Sequence, residues 1–180
     1  LVKQAANGTE LLVSIGPAAK AIPETFRLIG GSITRWLLDH HVVTASISTS
    51  ELQPYVVNGA LSALLEGFFL GGYQFNQHKK VEETPDAITI QLISKSKKDL
   101  ETSIEHAAKL TSAVNLAREW SHEPANVINP LTLADRAVAL AQKYNLKIQV
   151  ISDQELEAMG AGAIVAVGKG SAVVGQPQPM

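Results

Sequence analysis

The chain has 180 residues, 46% of them hydrophobic and 18% charged, with a formal net charge of −2. That length holds one ordinary domain, or one small domain and part of another, and the apolar fraction excludes intrinsic disorder for the bulk of it. The near-neutral balance provides no electrostatic footprint for nucleic acid or an anionic membrane, and no apolar run reaches the roughly 20 residues of a membrane span. Cysteine is absent, which excludes a disulfide framework, a thiolate nucleophile and a thiolate zinc site, and suits a reducing compartment. Leu1 stands where an initiator Met would, and the chain closes on Gly175-Gln176-Pro177-Gln178-Pro179-Met180. Both ends therefore read as cuts through something longer.

Taken in order, Leu11–Ile15, closed by Gly16-Pro17, predicts a buried strand. Residues 18 to about 40 place apolar side chains at helical spacing around Gly30-Gly31, which predicts a helix interrupted at the glycines. The β-branched stretch Val42–Ile47 predicts a second strand. Ser50-Glu51-Leu52 predicts the opening of a longer helix, with Pro54 in its first turn. Its apolar face is Val57, Leu61, Leu64, Leu65, Phe68 and Phe69, and Gly71-Gly72 stops it. Ala87–Ile93 predicts a third strand. Lys95–Asp99 reads as a charged loop, and Leu100 to Ser121 as the most regular helix, with Ile104, Ala107, Leu110, Val114, Ala117 and Trp120 in one stripe.

Asn129-Pro130 is an N-cap followed by proline at the first helical position. The helix it opens has the apolar face Leu133, Ala137, Leu140 and Ala141 and ends at Tyr144-Asn145. Leu146–Ile151 alternates and predicts a strand. Ser152-Asp153-Gln154-Glu155 is a capping box before a short helix ending at Gly160. Ala163–Val167 predicts a buried strand closed by Gly168-Lys169-Gly170-Ser171. The alternation of strands and helices predicts an α/β architecture, with the boundary between two units at the Lys95–Asp99 loop and the long helix after it. There is no internal repeat and no low-complexity segment.

The residues alone designate no site. A P-loop fails because Gly162 lies one position too far from Gly168 and Lys169 is followed by Gly170. The dinucleotide fingerprint fails because Val173 stands at its third glycine. His40 and His41 are adjacent and point apart, while His78, His106 and His122 are scattered, so no three convergent metal ligands can be named. Glu119 and Glu123 read as a solvated helix face. No Gly-x-Ser-x-Gly nucleophile motif occurs, and Lys79-Lys80 with Lys95, Lys97 and Lys98 read as solvated loops. Catalytic, cofactor-binding and metal residues are therefore set at none.

Three stretches carry a resemblance. Arg118-Glu119-Trp120-Ser121-His122-Glu123-Pro124-Ala125-Asn126-Val127-Ile128-Asn129-Pro130-Leu131-Thr132-Leu133-Ala134 resembles the domain junction of the leucyl aminopeptidase family, the cytosol-type di-metal aminopeptidases. Glu66-Gly67-Phe68-Phe69-Leu70-Gly71-Gly72-Tyr73-Gln74-Phe75 looks like that family's Glu-Gly, Leu-Gly, Tyr-x-Phe signature, with Lys79 close behind. Met159 to Ser171 looks like its Met-Gly, Ala-Val-Gly-x-Gly-Ser segment. The three occur in the family's order between Leu11 and Ala172.

The resemblance implies a macro-domain-like α/β domain over residues 1–98, a connector helix over 99–123, and the incomplete start of a catalytic aminopeptidase domain over 124–172. Residues 173–180 form a divergent tail. For the full-length family member it implies two divalent metals, zinc or manganese, a peptide substrate, a cytoplasmic location and a homo-oligomer, a hexamer in the family. The family's Gly-Lys-x-x-x-x-Asp-x-Gly-Gly and Asn-Thr-Asp-Ala-Glu-Gly-Arg elements are not in this sequence, so the fragment itself is expected to be inactive. Lys169, in Val-Gly-Lys-Gly, has no Asp-x-Gly-Gly after it and takes no metal role. The alternative is a non-enzymatic binding or assembly module on the macro-like domain, for a nucleotide-like ligand or DNA. The net charge of −2 argues against strong nucleic-acid affinity.

Overall fold

The computed structural model describes residues 2–5, 8–52, 59–78 and 87–169. Its contacts divide the chain into two compact units, Leu1–Glu119 and Trp120–Met180, and each is described by itself.

The first unit opens with a hairpin. β1 (Val2–Ala5) pairs antiparallel with β2 (Gly8–Leu11), Val2 opposite Leu11 and Ala5 opposite Gly8. The strand expected over Leu11–Ile15 is therefore corrected: only Leu11 is in a strand, and Leu12 and Val13 are each 38% exposed. The register runs from Ala5 opposite Gly8 to Val2 opposite Leu11, which places only the first residue of the apolar run in β2.

After a short 3-10 turn at Ala18–Lys20, α1 (Pro23–Asp39) starts with proline in its first turn and the Ile22 N–H donating to Thr25 Oγ1 at 3.3 Å. It runs unbroken through Gly30-Gly31, where an interruption was expected. The glycines are there for contact. A Cβ on Gly30 would meet Gly67 Cα at 3.1 Å and Phe68 N at 3.1 Å, because the helix Ala60–Gly71 crosses α1 at this point.

β3 (Thr44–Ser48) follows, then a 3-10 turn at Thr49–Leu52. Pro54 and Val57, expected in the following helix, lie outside the described residues. α2 (Ala60–Gly71) begins after Gly59, whose φ of 85° suits glycine, and stops at Gly72 as expected. β4 (Thr89–Ile93) lies parallel to β3, Thr44 opposite Thr89 and Ser48 opposite Ile93. A parallel pair needs a crossover, and α2 lies within it.

α3 (Lys97–His122) is the long helix. Its buried positions are Leu100, Ala107 and Thr111, with Ile104 packed against the core, whereas Leu110 is 45% and Val114 36% exposed. The inward line thus includes a threonine in place of the expected leucine and valine. Thr111 Oγ1 can be buried because it donates to the Ala107 carbonyl of its own helix at 2.7 Å. The core gathers Phe26 from α1, Ala63, Leu64, Leu65 and Phe68 from α2 and Ala107 from α3, with Ile47, Ile90 and Leu92 packed on from the sheet.

The second unit is helical among its described residues: α4 (Pro130–Tyr144), α5 (Asp153–Ala158) and α6 (Gly162–Lys169). The α4 cap is the expected one. Asn129 Oδ1 accepts from the Thr132 N–H at 3.2 Å, and the Asn129 N–H donates to Thr132 Oγ1 at 2.9 Å. Asn145, at φ 53°, ends the helix. Ser152 caps α5 as expected.

Two strand expectations fail here. Residues 146–151 have no strand pairing, and Ala163–Val167 lies inside α6. A short apolar run does not separate a buried strand from a helix. Gly160 at φ 74° ends α5, and the Val165 N–H donating to the Ala161 carbonyl at 3.2 Å opens the α6 ladder. The fold class is thus α/β, rich in helix, with a small parallel sheet.

Candidate functional site

The Glu66–Phe75 signature occupies the end of α2 and the turn after it. Glu66 is nearly buried, and its Oε2 accepts from Arg27 Nε at 2.8 Å, with Arg27 Nη2 at 2.7 Å. The Arg27 guanidinium also binds the exposed Glu24 one turn earlier on α1. The hydrogen bond donated to Glu66 holds the Arg27 pKa above its ordinary value against the opposing effect of burial. Gly67 and Gly71 face Gly30 and Gly31, so the glycines of the signature are the contact points of two helices.

Beyond Gly72, the Arg118 guanidinium on α3 stacks over the Tyr73 ring at 5.8 Å and Nη1 donates to the Leu70 carbonyl at 3.2 Å. Gln77 donates to Glu119. Arg118 and Glu119, the opening of the junction motif, thereby fasten α3 to the end of α2. Phe75 meets His78 edge-on at 5.7 Å. Lys79 and Lys80 lie outside the described residues.

A cavity of about 600 Å³ sits in this unit. Leu38, Leu65, Phe68, Ile90 and Leu92 wall it, with Asn115 the polar group from α3. No charged side chain is among its described lining residues. It can take an apolar group, and Thr34, Tyr73, Gln74 and Asn76 add polar groups to its lining.

In the second unit, Glu123 was expected on a solvated face. It is instead 9% exposed, and its Oε1 lies 3.6 Å from Arg136 Nη2 on α4. Its neighbour in the motif, Pro124, accepts at its carbonyl from the N–H groups of Val127 and Ile128. The junction motif thus forms a capped turn with a buried carboxylate. A carboxylate just outside the end of a helix, with an arginine inside the next, is the signal that was open to a reader of the sequence. Lys169 Nζ lies 2.9 Å from Glu157 Oε1, joining α6 to α5, and both side chains are more than half exposed.

The histidines are not brought together. His40 Nδ1 bonds the Trp36 carbonyl at 2.9 Å and its ring stacks on Trp36 at 4.2 Å. Among the described residues no group of three or more His, Cys, Asp or Glu could hold a metal ion. The described residues therefore do not fit a divalent pair.

Residues 115–178 match the family model "Cytosol aminopeptidase family, catalytic domain". A probable cytosol aminopeptidase of Rhodococcus jostii is 33% identical over 168 residues, covering 89% of this chain and 32% of the relative. One from Aquifex aeolicus is 31% identical over 162 residues, with the same shares. Over 89% of its length the chain is thus similar to cytosol aminopeptidases. It spans about a third of the length of the cytosol aminopeptidases it matches.

Solved structures agree on the fold. A tomato leucine aminopeptidase mutant superposes with a TM-score of 0.77 at 19% identity, over 99% of this chain and 36% of its own. The bottromycin maturation enzyme BotP gives 0.75 at 24%, over 99% and 38%. No helix among the described residues is long and apolar enough to cross a membrane.

Proposed function

We infer that this chain is part of a leucyl aminopeptidase, an enzyme that removes N-terminal amino acids from peptides with the help of divalent metal. In this reading residues 1–98 are a macro-like α/β domain, 99–123 a connector helix, 124–172 the start of the catalytic domain and 173–180 a divergent tail. The supporting observation is that residues 115–178 match the family's catalytic-domain model, while the Gly-Lys-x-x-x-x-Asp-x-Gly-Gly and Asn-Thr-Asp-Ala-Glu-Gly-Arg elements do not occur in the sequence. The metal and catalytic elements then lie in sequence this chain does not carry, and the chain alone is inactive.

The whole enzyme would use two divalent ions, zinc or manganese, and one structure of BotP is a complex with Mn. It would act on peptides in the cytoplasm as a homo-oligomer, hexameric in the family. No catalytic role falls to residues of this chain. Arg118 and Glu119 hold α3 to the end of α2 in the first unit, and Glu123 pairs with Arg136 in the second. Leucine p-nitroanilide with added manganese tests the reading. The purified chain is expected to give no turnover, and metal-dependent turnover by it alone would overturn the inactivity.

The cavity in the first unit favours a second reading, a binding module. Its lining, uncharged among the described residues, suits an apolar ligand and gives nothing to neutralise a nucleotide's phosphates. The net charge of −2 likewise argues against strong DNA binding. A mobility shift at low salt that exceeds that of a control protein would revive it.

A further inference from the structure

The core of the first unit is not filled to its edge. Protein interiors pack with few voids larger than a water molecule, yet a cavity of about 600 Å³ opens where α1, α2, α3 and β4 meet. Along β4, Thr89 and Gln91 are exposed, while Ile90 and Leu92 pack against the core. Ile90, Leu92 and Ile104 of α3 are still only partly buried, and all three line the cavity. Part of the inward face is therefore left without a packing partner among the described residues.

The neighbouring sequence offers little to fill it. Between His78 and Ala87 it reads Lys79-Lys80-Val81-Glu82-Glu83-Thr84-Pro85-Asp86, in which only Val81 and Pro85 are apolar. Small-molecule sites span roughly 300–1,000 Å³ and are likewise mostly apolar with a few placed polar groups.

The polar groups set the chemistry of the ligand. No charged side chain is among the described lining residues, so an ion entering would lose its water with no opposite charge to replace it. Thr34 is buried, and its hydroxyl donates to the Phe68 carbonyl at 3.2 Å. Gln74 Oε1 accepts from Asn76 Nδ2 at 3.1 Å, and Asn115 Oδ1 accepts from Arg118 Nη1 at 3.4 Å. With both amide oxygens engaged, Gln74 Nε2 and Asn115 Nδ2 are the amide donors at the cavity. Gln74 is exposed and Asn115 half-buried, so the bond from Asn115 is the stronger one.

We propose that this cavity binds an uncharged small molecule with an apolar body and a carbonyl oxygen, the body against Phe68, Ile90 and Leu92 and the oxygen accepting from Asn115 Nδ2. The proposal rests on the binding-module reading above and names its ligand class. It makes no use of the aminopeptidase reading.

Prodan, an uncharged naphthyl ketone whose fluorescence moves to the blue in apolar surroundings, is the probe for the purified full chain. Saturable binding at a single site is expected. Anilinonaphthalene sulfonate carries a charge on the same ring system and should bind about tenfold more weakly. Ala87→Trp enlarges an exposed lining residue. It should keep the circular dichroism and melting of the parent and bind Prodan about tenfold more weakly. Asn115→Leu keeps the size and removes the donor. It should weaken Prodan about three- to tenfold and leave dimethylaminonaphthalene, the same ring without the ketone, bound as before.

Equal binding of Prodan to the Ala87→Trp variant overturns the proposal. So does an equal loss of the ketone and the parent naphthalene in Asn115→Leu, which would give that residue a structural role only. Should Ala87→Trp melt differently, Prodan titrated into the parent chain decides by NMR. Amide shifts at Tyr73, Ile90 and Asn115 uphold the site, and shifts confined to other residues overturn it. Sulfonate bound as tightly as Prodan, and lost in Ala87→Trp, sinks the uncharged class and keeps the binding module. No saturable binding of either probe sinks both.

Discussion

Gly30 of α1 and Gly67 of α2 meet at the helix crossing with no room for a methyl group on either. A Cβ on Gly67 would stand 2.9 Å from Gly30 Cα and 2.9 Å from Gly31 N, with the Arg27 carbonyl oxygen closer still. Every obstructing atom is backbone, so none can swing aside. One residue earlier, Glu66 pairs with Arg27 across the same crossing. The Glu-Gly and Leu-Gly steps of the signature are therefore the seam between α1 and α2.

Gly67→Ala tests that seam. Alanine is the better helix former by about 1 kcal/mol, while forcing extra volume into a packed contact costs about 1–3 kcal/mol. Against immovable backbone the second effect wins, and a net loss of about 1–2 kcal/mol is expected. Urea unfolding would show a lower midpoint with an unchanged slope. Gly162→Ala is the control, since its Cβ would enter open space and should leave the midpoint level or slightly higher. An unchanged midpoint for Gly67→Ala contradicts the crossing.

The Arg27–Glu66 pair predicts an asymmetry. The Glu66 side chain is 9% exposed and the Arg27 side chain 32%. Removing one partner of a buried pair costs about 3–5 kcal/mol, and water access at Arg27 reduces that to about 1–3 kcal/mol. Arg27→Met strands a carboxylate in the core, whereas Glu66→Gln leaves an acceptor and no charge. Arg27→Met should therefore lose more stability, and the double variant should regain part of the loss. A double-mutant cycle with strictly additive losses would refute the coupling.

Local chemistry was legible in the sequence and tertiary chemistry was not. The caps at Asn129 and Ser152, the stop at Gly71-Gly72 and the strand cores within Val42–Ile47 and Ala87–Ile93 depend on residues a few positions apart. Gly30-Gly31 reads as a break because propensity counts only the helix it sits in, and the reason for the glycines is α2. Thr111 falls outside the apolar stripe, and Glu123 reads as solvated, because their types are polar. Each is buried through a partner, the Ala107 carbonyl and Arg136, that the stripe count ignores. Ala163–Val167 fits a strand or a buried helix equally by pattern. The family was legible only because motif order adds information that no single residue carries.

Asn129→Ala probes the start of α4. The substitution removes an acceptor for the Thr132 N–H, and loss of such a cap costs about 0.5–2 kcal/mol. Because the chain has two units, global melting would mix their signals. Amide exchange in the first turn of α4 is the sharper reading and should quicken several-fold, while α2 stays unchanged. Asn129→Asp keeps the acceptor and should restore protection. Equal exchange in the alanine variant and the parent would show that Thr132 alone holds the turn.

Two glutamates titrate low for different reasons, and salt tells them apart. The Glu155 carboxylate accepts the Ser152 N–H and hydroxyl, each at 2.8 Å, and these bonds hold its pKa below the usual glutamate range. Glu105 is lowered by its hydrogen bond and charge contact with Lys109, 2.6 Å away. A depressed pKa means the folded state favours the carboxylate. The stabilisation is then complete above the unfolded pKa and is lost as pH falls through the lower, folded value. NMR titration of both side chains should give midpoints below ordinary glutamate at low salt. At 1 M salt, where the screening length falls to about 3 Å, Glu105 should move back toward its ordinary value while Glu155 stays low. Ser152→Ala removes the hydroxyl and leaves the backbone N–H, so it should raise the Glu155 midpoint only partway. If salt moves Glu155 as far as Glu105, charge and not the cap sets its titration.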